Sequence, residues 1–461
     1  MKSSQSLLQF PAVCGKEVVA SFDGGDITSD AGLLLLGEAD RQMGITEALV
    51  SAMEDRRQAG KVRHRLEEML QTRVYGVAQG YSDCNDMDRL RYDPAFKVSC
   101  GMVSGEEALA SQPTLSRFEN SVSAGELKQM ATALARKVLE QVPATTRVVT
   151  LEVDATDDPC HGQQQLRLFN GYYGEHCYVP LLVHLVEPGG RRHLLYALLR
   201  PGNASSGKGL PGMMRAAIRL VRERLGKKVG VLVRADSGFG TGKFIDFLSS
   251  QRVDFVLGLP SNAILTGLAV PAHLRAAVGY KFEGEGYRVF DEFQYAAKKG
   301  WAQRRRVIVK VEMTQAAFNP RYVVTSLREG DPEEIYEFYC ARGEQENRIK
   351  EFKLDMDSGR TSCSRFTANR FRLLIHAAAY ALMNGMRGAL AGTAWERSQM
   401  AEIRLRLLKV GARVVQSSRK VWFHLPTAYP NQKDWEHLIR RLREGHAVRE
   451  GDATGGIAAP S

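Results

Sequence analysis

The sequence lacks the features that mark secreted and membrane-spanning proteins. It has seven cysteines in 461 residues, widely spaced and without a CxxC pair, which is typical of reduced thiols and not of a disulfide framework. The N-terminal segment has no long apolar run of the kind found in secretory signals. No stretch of ~18 uninterrupted apolar residues could span a membrane. We therefore expect a cytoplasmic protein without a membrane segment.

The sequence has fewer negatively charged than positively charged residues. The chain has 63 Lys and Arg against 52 Asp and Glu, a formal net charge of +11 at pH 7, and a sequence pI near 9.3. This excess favours a polyanionic partner, DNA or RNA, over an acidic metabolite. The hydrophobic content of 44% is ordinary for a globular protein, and the length predicts two or three domains.

Hydrophobic periodicity divides the chain into five regions. Residues 1–145 are predicted to be mainly helical, and residues 146–260 follow the order β-β-β-α-β-α-β, which indicates an α+β domain with a mixed sheet. Residues 261–332 are predicted to form a β-rich insertion. Residues 333–392 are predicted to hold two helices, and residues 393–461 a basic C-terminal region that ends in a disordered tail.

Carboxylates lie at the ends of two predicted strands. Asp154 ends the strand in "RVVTLEVDATDDP", and Asp236 ends the strand in "KVGVLVRADSGFG". The carboxyl ends of such strands converge where α/β sites are built, and Glu346 on a later helix could add a third carboxylate. Three carboxylates bind Mg²⁺ or Mn²⁺, and two such ions can hold the attacking and leaving oxygens of a phosphodiester. Asp157 competes with Asp154 for the first position, and Asp154 is preferred because it lies at the strand end.

The segment "YCARGEQENRIKEFK" is predicted to form one helix beside these acids. At about 100° per residue, Tyr339, Arg342, Glu346 and Lys353 fall within roughly 60° of arc, next to an apolar stripe suited to packing on a core. On this interpretation Arg342 and Lys353 would bind phosphate oxygens. The competing interpretation is a surface helix with an Arg342–Glu346 ion pair.

Two other segments have weaker signals for ligand binding. "PCHGQQQLRLFNGYYGEHCY" pairs Cys160–His161 with His176–Cys177, but neighbouring strand residues point to opposite faces, which argues against a shared zinc ion. "GNASSGKG" is rich in glycine and serine like a phosphate-binding loop, but it lacks the GxxxxGK[ST] spacing. A connecting loop near a DNA backbone is the preferred interpretation of the second segment.

The order strand acid, strand acid, helix glutamate resembles the ribonuclease H-like catalytic core of DDE transposases. The spacing Tyr-x₂-Arg-x₃-Glu-x₆-Lys matches the YREK signature of the insertion-sequence branch of that superfamily at every position. Segments such as "LEVDATDDPCHGQQQLRLFNGYY", "LRPGN" and "RADSGFG" are similar to the Transposase DDE domain group 1 family. The resemblance spans about residues 20–420.

The resemblance implies a fold and a metal site. The fold would be a ribonuclease H-like α+β core with a mixed β-sheet, a β-rich insertion before the last catalytic helix, and a helical N-terminal DNA-binding region. Asp154, Asp236 and Glu346 would be both catalytic residues and ligands of Mg²⁺ or Mn²⁺, with two ions bound.

The expected DNA contacts fall in three segments. In the YREK segment the contacts are implied by the resemblance. The segment "KKGWAQRRRVIVK" mixes an aromatic residue with cations, which suits stacking on bases and binding of the backbone. The helix in "QPTLSRFEN" could present its polar face to a DNA groove. The alternatives for the last two are an edge strand guarded by charge and an ordinary polar helix face. In chain order the residues are Arg117, Trp301, Arg304, Arg305, Tyr339, Arg342 and Lys353.

The function implied is that of a bacterial insertion-sequence transposase. It would bind terminal inverted repeats and target DNA as a homodimer on double-stranded DNA, associate with the nucleoid in the cytoplasm, cleave the element ends and join the 3′-hydroxyl to target DNA. One alternative is a ribonuclease H-like nuclease or resolvase without strand transfer. The other is a transposase-derived DNA-binding protein without activity, against which the intact acids argue.

Overall fold

The computed structural model describes residues 7–103, 107–284, 286–297, 300–313 and 318–454. The chain divides into two compact units. Unit 1 comprises Met1–Ser121, Asp355–Asp357 and Ala378–Ser461, and unit 2 comprises Val122–Leu354 and Ser358–Ala377. The sequence placed the first boundary near residue 145. The tail expected to be disordered lies, from residue 455 on, outside the described residues.

Unit 2 is built on an eight-stranded mixed sheet. Its strand order is β12-β13-β14-β11-β10-β4-β8-β9, with β10 parallel to both β4 and β11 and the other pairs antiparallel. These strands are β4 (Val148–Ala155), β8 (Leu181–Val186), β9 (Arg192–Leu198), β10 (Gly230–Ala235), β11 (Asp254–Leu259), β12 (Arg288–Tyr295), β13 (Arg305–Met313) and β14 (Phe318–Thr325). A small antiparallel sheet is formed by β5 (Asp158–Pro159), β6 (Leu168–Asn170) and β7 (Glu175–Tyr178).

The central strands of unit 2 are buried, and the sequence explains why. All six residues of β8, "LLVHLV", are buried, as expected for a continuous apolar run covered on both faces. The helices are α7 (Ala124–Leu139), α8 (Leu210–Leu225), α9 (Gly242–Ser250), α10 (Ala263–Leu268), α11 (Val270–Glu283), α12 (Pro332–Cys340), α13 (Gly343–Lys350), and the first half of α14 (Phe366–Ala389). The capping box of Ser123 and Glu126 fixes the start of α7.

The segment 261–332 differs from the β-rich insertion expected from the sequence. It begins with the helices α10 and α11, and its three strands β12, β13 and β14 continue the main sheet beyond β11. The large mixed sheet and the α+β class are confirmed. Within the described part of the chain, no helix combines the length and the apolar character needed to cross a membrane.

Unit 1 is mainly helical, with two small sheets. Its helices are α1 (Leu33–Met43), α2 (Ile45–Val50), α3 (Leu66–Ala78), α4 (Met87–Leu90), α5 (Pro94–Ser99), α6 (Gln112–Ser121), the second half of α14, α15 (Met400–Ile403) and α16 (Gln432–Thr454). The strands are β1 (Leu8–Val13), β2 (Lys16–Ala20), β3 (Ile27–Thr28), β15 (Ala412–Gln416) and β16 (Val421–His424). The strands pair as a β1–β2 hairpin and as a sheet of order β16-β15-β3.

Candidate active site

The two strand-end aspartates lie at one edge of the main sheet. β4 and β10 are parallel neighbours, and Val153 pairs with Ala235 in their register. Asp154 follows Val153 and Asp236 follows Ala235, so both carboxylates lie at the carboxyl edge of the sheet. The Asp154 Oδ1 accepts a hydrogen bond from the Ala155 N–H at 2.8 Å.

The negative charge of Asp236 acts on the carboxyl group of Asp154. Burial and the negative charge of Asp236 raise the pKa of Asp154 to about 6, against the opposing charge of Arg342. A divalent cation between the two carboxylates would offset the repulsion that Asp236 exerts on Asp154. The pair therefore fits a hard metal ion by its donor type and by its charge.

Arg342 and Tyr339 lie against the aspartate pair. The Arg342 Nη2 is 3.4 Å from the Asp154 Oδ2, and its Nη1 donates to the Tyr339 hydroxyl at 3.4 Å. Burial lowers the pKa of Arg342, but its interactions with Tyr339, Asp154 and Asp236 raise the pKa overall. Burial and the charge of Asp236 raise the pKa of Tyr339, so the phenol keeps its proton. The site thus combines two acids, one fixed cation and one hydroxyl donor.

A glycine leaves room for this arrangement. Gly258 lies in β11 beside the loop that follows β10. A Cβ at this position would lie 2.5 Å from the Tyr339 hydroxyl and 2.6 Å from the Ser237 backbone nitrogen. Both distances are too short for any side chain, so the close approach of Tyr339 to the strand end depends on glycine.

The segment that carries the YREK residues is not one helix. Tyr339 is in α12, Arg342 lies between α12 and α13, Glu346 is in α13, and Lys353 is in the π-helical segment Glu351–Asp355. Gly343, a poor helix former, follows the break. The interruption removes the single column of side chains expected from the sequence.

Glu346 lies in α13, beyond the break. Glu346 is exposed, and Arg342 pairs with Asp154 instead of forming the expected surface pair with Glu346. Among the described residues, no group of three or more His, Cys, Asp or Glu side chains is arranged to hold a metal ion. The acidic group that the site offers is therefore the pair Asp154 and Asp236.

Lys353 forms an ion pair with Asp157, the acid that follows Asp154 in the loop after β4. Its Nζ is 2.9 Å from the Asp157 Oδ1. Burial raises the pKa of Asp157, but the hydrogen bond and charge of Lys353 lower it below its ordinary value. The next acid, Asp158, accepts a hydrogen bond from the Thr361 hydroxyl at 2.7 Å. The charge of Asp236 acts on the pKa of Asp154, so Asp154 is the acid placed to share a ligand with Asp236.

A buried ionic network lies two residues before each aspartate. Glu152 on β4 is fully buried and is bonded by Arg234 of β10 and by Arg192 of β9, the latter at 3.1 Å. Arg234 also donates to the Phe338 carbonyl, and Arg192 donates to the Ala341 carbonyl at 3.3 Å. The network joins the strands that carry the aspartates to the end of α12, which carries Tyr339.

Sequence reasoning missed this network, although a signal was present. Residues i and i+2 of a strand share a face, so Glu152 and Arg234 lie on the faces of Asp154 and Asp236. A charged residue two positions before a strand-end acid, inside an otherwise apolar strand, indicates a buried partner. The partner could not be identified from one strand alone.

The Gly/Ser-rich loop is a connecting segment beside the site. Arg200 shapes it by donating to the carbonyls of Ser205, Ser206 and Lys208 at 3.0 to 3.2 Å. The Ser206 hydroxyl donates to the Gly238 carbonyl at 2.6 Å, in the loop after Asp236. The loop therefore reaches the same edge of the sheet without forming a phosphate loop.

The remaining expected DNA contacts have other neighbours. Trp301 packs edge-on against Tyr295, with ring centroids 5.3 Å apart, and Arg305 donates to the Ser249 hydroxyl at 2.9 Å. Arg304 is exposed in unit 2. Arg117 is exposed on α6 of unit 1, and it donates to the Thr114 hydroxyl at 3.1 Å.

Comparison with known families identifies one family for this chain. The family model described as Transposase DDE domain group 1 matches residues 10–447. No curated protein matches the chain significantly. The family match covers nearly the whole sequence, including both units and every residue of the candidate site. The chain therefore belongs to the Transposase DDE domain group 1 family.

Proposed function

We propose that the protein is the DNA transposase of a bacterial insertion sequence. It binds the terminal inverted repeats, cleaves the DNA at the element ends and joins the freed 3′-hydroxyl to target DNA. The observation that carries this proposal is the aspartate pair at the carboxyl edge of β4 and β10, with the pKa of Asp154 raised to about 6 by burial and by Asp236. The family supports a DNA-processing activity in general.

In this proposal Asp154 and Asp236 hold Mg²⁺ or Mn²⁺, and Glu346 is the third ligand of a two-ion site. When bound, the ions activate the attacking oxygen and stabilise the leaving oxygen of an in-line phosphoryl transfer. The protein forms no covalent intermediate.

The side chains around the aspartates bind and orient the DNA. Arg342, a half-buried cation between Tyr339 and Asp154, donates hydrogen bonds to a non-bridging phosphate oxygen. Tyr339 keeps its proton and donates a further hydrogen bond. Lys353 neutralises an adjacent phosphate. The other proposed contacts with DNA are Arg117, Trp301, Arg304 and Arg305.

The test uses a supercoiled plasmid that carries the two element ends, with one 3′-end labelled. Asp236→Asn and Glu346→Gln are compared with Glu344→Gln, which removes an exposed acid from the same helix. We expect the first two variants to bind the ends normally but to lose cleavage, while Glu344→Gln cuts at the wild-type rate. A Glu346→Gln protein that still cuts would remove Glu346 from the metal site.

The products distinguish transposition from simple cleavage. Wild-type protein should transfer the labelled 3′-end into an unlabelled target plasmid. Cleavage without transfer would instead identify a nuclease or resolvase. A homodimer on DNA is part of the proposal, and sedimentation with an end duplex should give two chains per complex. Asp154→Asn should abolish cleavage, whereas Asp157→Asn, which leaves the aspartate pair intact, should retain most of it.

A further inference from the structure

A three-stranded sheet of unit 1 presents an apolar and aromatic face to solvent. In the order β16-β15-β3, Arg413 pairs with both Ile27 and His424, and Val415 pairs with Trp422. Residues directly opposite one another share a face of the sheet, so these five side chains form one surface, which we call the ribbon face. Trp422 is 52% exposed, Ile27 59% and Val415 42%.

The aromatic rings of the ribbon face are already arranged in a stack. The rings of Trp422 and His424 are 6.3 Å apart with an interplanar angle of 14°. The Lys420 Nζ lies 5.3 Å from the centroid of the Trp422 ring. An exposed, oriented indole flanked by a cation is a suitable contact for the sugar and base edges of a nucleic acid.

The hairpin turn places two cations at the tip of the ribbon face. The Ser417 N–H donates to the Lys420 carbonyl at 2.8 Å, and the Ser417 hydroxyl accepts from the Lys420 N–H at 3.2 Å. These bonds close a tight turn with Ser418 and Arg419 at its centre. The tip therefore holds Arg419 and Lys420 in a fixed backbone conformation.

The charge of the ribbon face is unbalanced. Between Arg404 and Leu425 the chain has no Asp or Glu. Two nearby cations have internal partners, since Lys409 is 2.7 Å from Asp30 and Arg404 donates to the Ala78 carbonyl at 2.7 Å. Arg413, Arg419 and Lys420 have no ion pair among the described residues, so they are available to an anion.

We propose that the ribbon face binds the backbone of duplex DNA, separately from the aspartate site. The charge excess favours a polyanion. The β15–β16 hairpin, which carries the cations and Trp422, is a two-stranded β-ribbon of a width that fits a major groove. Arg413, Arg419 and Lys420 bind phosphates, and Trp422 packs on the sugar–base edge. The inference rests on the proposed function only in taking DNA as the polyanion.

The test measures binding without chemistry. Full-length protein is titrated in EDTA against a fluorescein-labelled random-sequence duplex at several salt concentrations. Arg419→Ala/Lys420→Ala is compared with the matched control Lys227→Ala/Lys228→Ala, which removes the same charge from an exposed loop of unit 2. Each phosphate contact adds about 0.9 to the salt slope. We therefore expect the slope of the ribbon variant to fall by about 1.8, with the control unchanged.

Tryptophan fluorescence gives a second readout on the intact fold. The measurement is made in a Trp301→Phe background, because Trp301 is itself a proposed DNA contact. Of the other three tryptophans, Trp395 and Trp435 are buried, so duplex DNA should quench mainly Trp422 in this background. The Trp422→Phe variant should lose most of this quenching, and Trp422→Ala should bind the duplex about tenfold more weakly. Preserved near-UV circular dichroism would show that the variants are folded.

Several results would overturn the proposal. They are an unchanged salt slope in the ribbon variant, equal losses in the ribbon and control variants, or no change in quenching in Trp422→Phe. The same titration is run with an RNA duplex of the same sequence. If Arg419→Ala/Lys420→Ala loses binding to the RNA duplex but binds the DNA duplex like wild type, the surface belongs to RNA and the proposal is rejected. Because the assay contains EDTA, failure here leaves the cleavage results on the aspartates untouched. Loss of cleavage likewise says nothing against the ribbon face.

Discussion

Removal of Arg234 should disturb stability and the candidate site together. Its guanidinium bonds Glu152 inside the sheet and donates to the Phe338 carbonyl at the end of α12. Arg234→Met keeps most of the apolar volume but removes the charge and the donors. Among the described residues, Glu152 then keeps Arg192 as its cationic partner, and the Phe338 carbonyl loses the hydrogen bond from Arg234.

The expected cost follows from the burial of the pair. The side chains of Arg234 and Glu152 are 4% and 0% exposed, and removing one partner of a buried ion pair costs about 3 to 5 kcal/mol. Because Arg192 still reaches Glu152 at 3.1 Å, the lower end applies, about 3 kcal/mol. For a unit of this size that corresponds to a fall in melting temperature of about 6 to 12 °C.

The assay combines thermal unfolding with DNA cleavage. Arg275→Met is the matched control, because Arg275 forms an ion pair of 2.7 Å with Asp291 in the same unit but is largely exposed. An exposed pair contributes about 0 to 1 kcal/mol, so this control should melt within about 4 °C of wild type. Arg234→Met should also cleave more slowly, since the end of α12 positions Tyr339 and Arg342.

A double-mutant cycle decides whether the pairing is the cause. Glu152→Gln/Arg234→Met removes both charges, so it should be more stable than the sum of the two single changes predicts, with a coupling of about 1 to 3 kcal/mol. The reasoning fails if Arg234→Met melts like the control. It also fails if the two single effects add without coupling.

Three further predictions concern single groups in the two units. Burial and the charges of Arg192, Arg348 and His193 lower the pKa of His184 to about 3, so the folded state resists protonation, and its unfolding free energy should fall by about 2 kcal/mol between pH 6.5 and pH 5. His184→Leu should remove that fall in urea titrations at the two pH values, and an identical loss in the variant would contradict the assignment. Lys353→Met removes the partner that keeps the pKa of Asp157 low. A lowered carboxyl pKa stabilises the fold fully only at a pH above the ordinary pKa of the group, and this stabilisation is lost as the pH falls. The variant should therefore be less stable by up to about 1 kcal/mol at neutral pH and equal to wild type in strong acid, and a difference that persists in acid would point to lost packing instead. Thiol titration should modify the exposed Cys14 and Cys340 fast, while the buried Cys84, Cys100, Cys160 and Cys177 react only after unfolding; rapid reaction of any buried thiol would refute its placement.

The sequence alone was enough to predict the position of the aspartates. Alternation of apolar residues ends at Asp154 and at Asp236, and parallel crossover strands bring their carboxyl ends to one edge. These are local patterns joined by one topological rule, so they needed no knowledge of side-chain contacts. The α+β class with a mixed sheet followed from the same patterns. The two strand acids, the YREK spacing and segments such as "LRPGN" and "RADSGFG" together indicated the family that the family model shows.

Tertiary structure decided which side chains meet. A continuous helix would place Arg342 beside Glu346. The helix is interrupted before Gly343, and Arg342 pairs with Asp154, 188 residues away in sequence. Lys353 forms an ion pair with Asp157, and Glu152 forms ion pairs with Arg234 and Arg192 on two other strands. Periodicity describes one element at a time, whereas these contacts depend on strand register and on the packing of α12 against the sheet. A buried charge must be paired whatever the local pattern prefers, so the fold, and not the spacing, selected each partner.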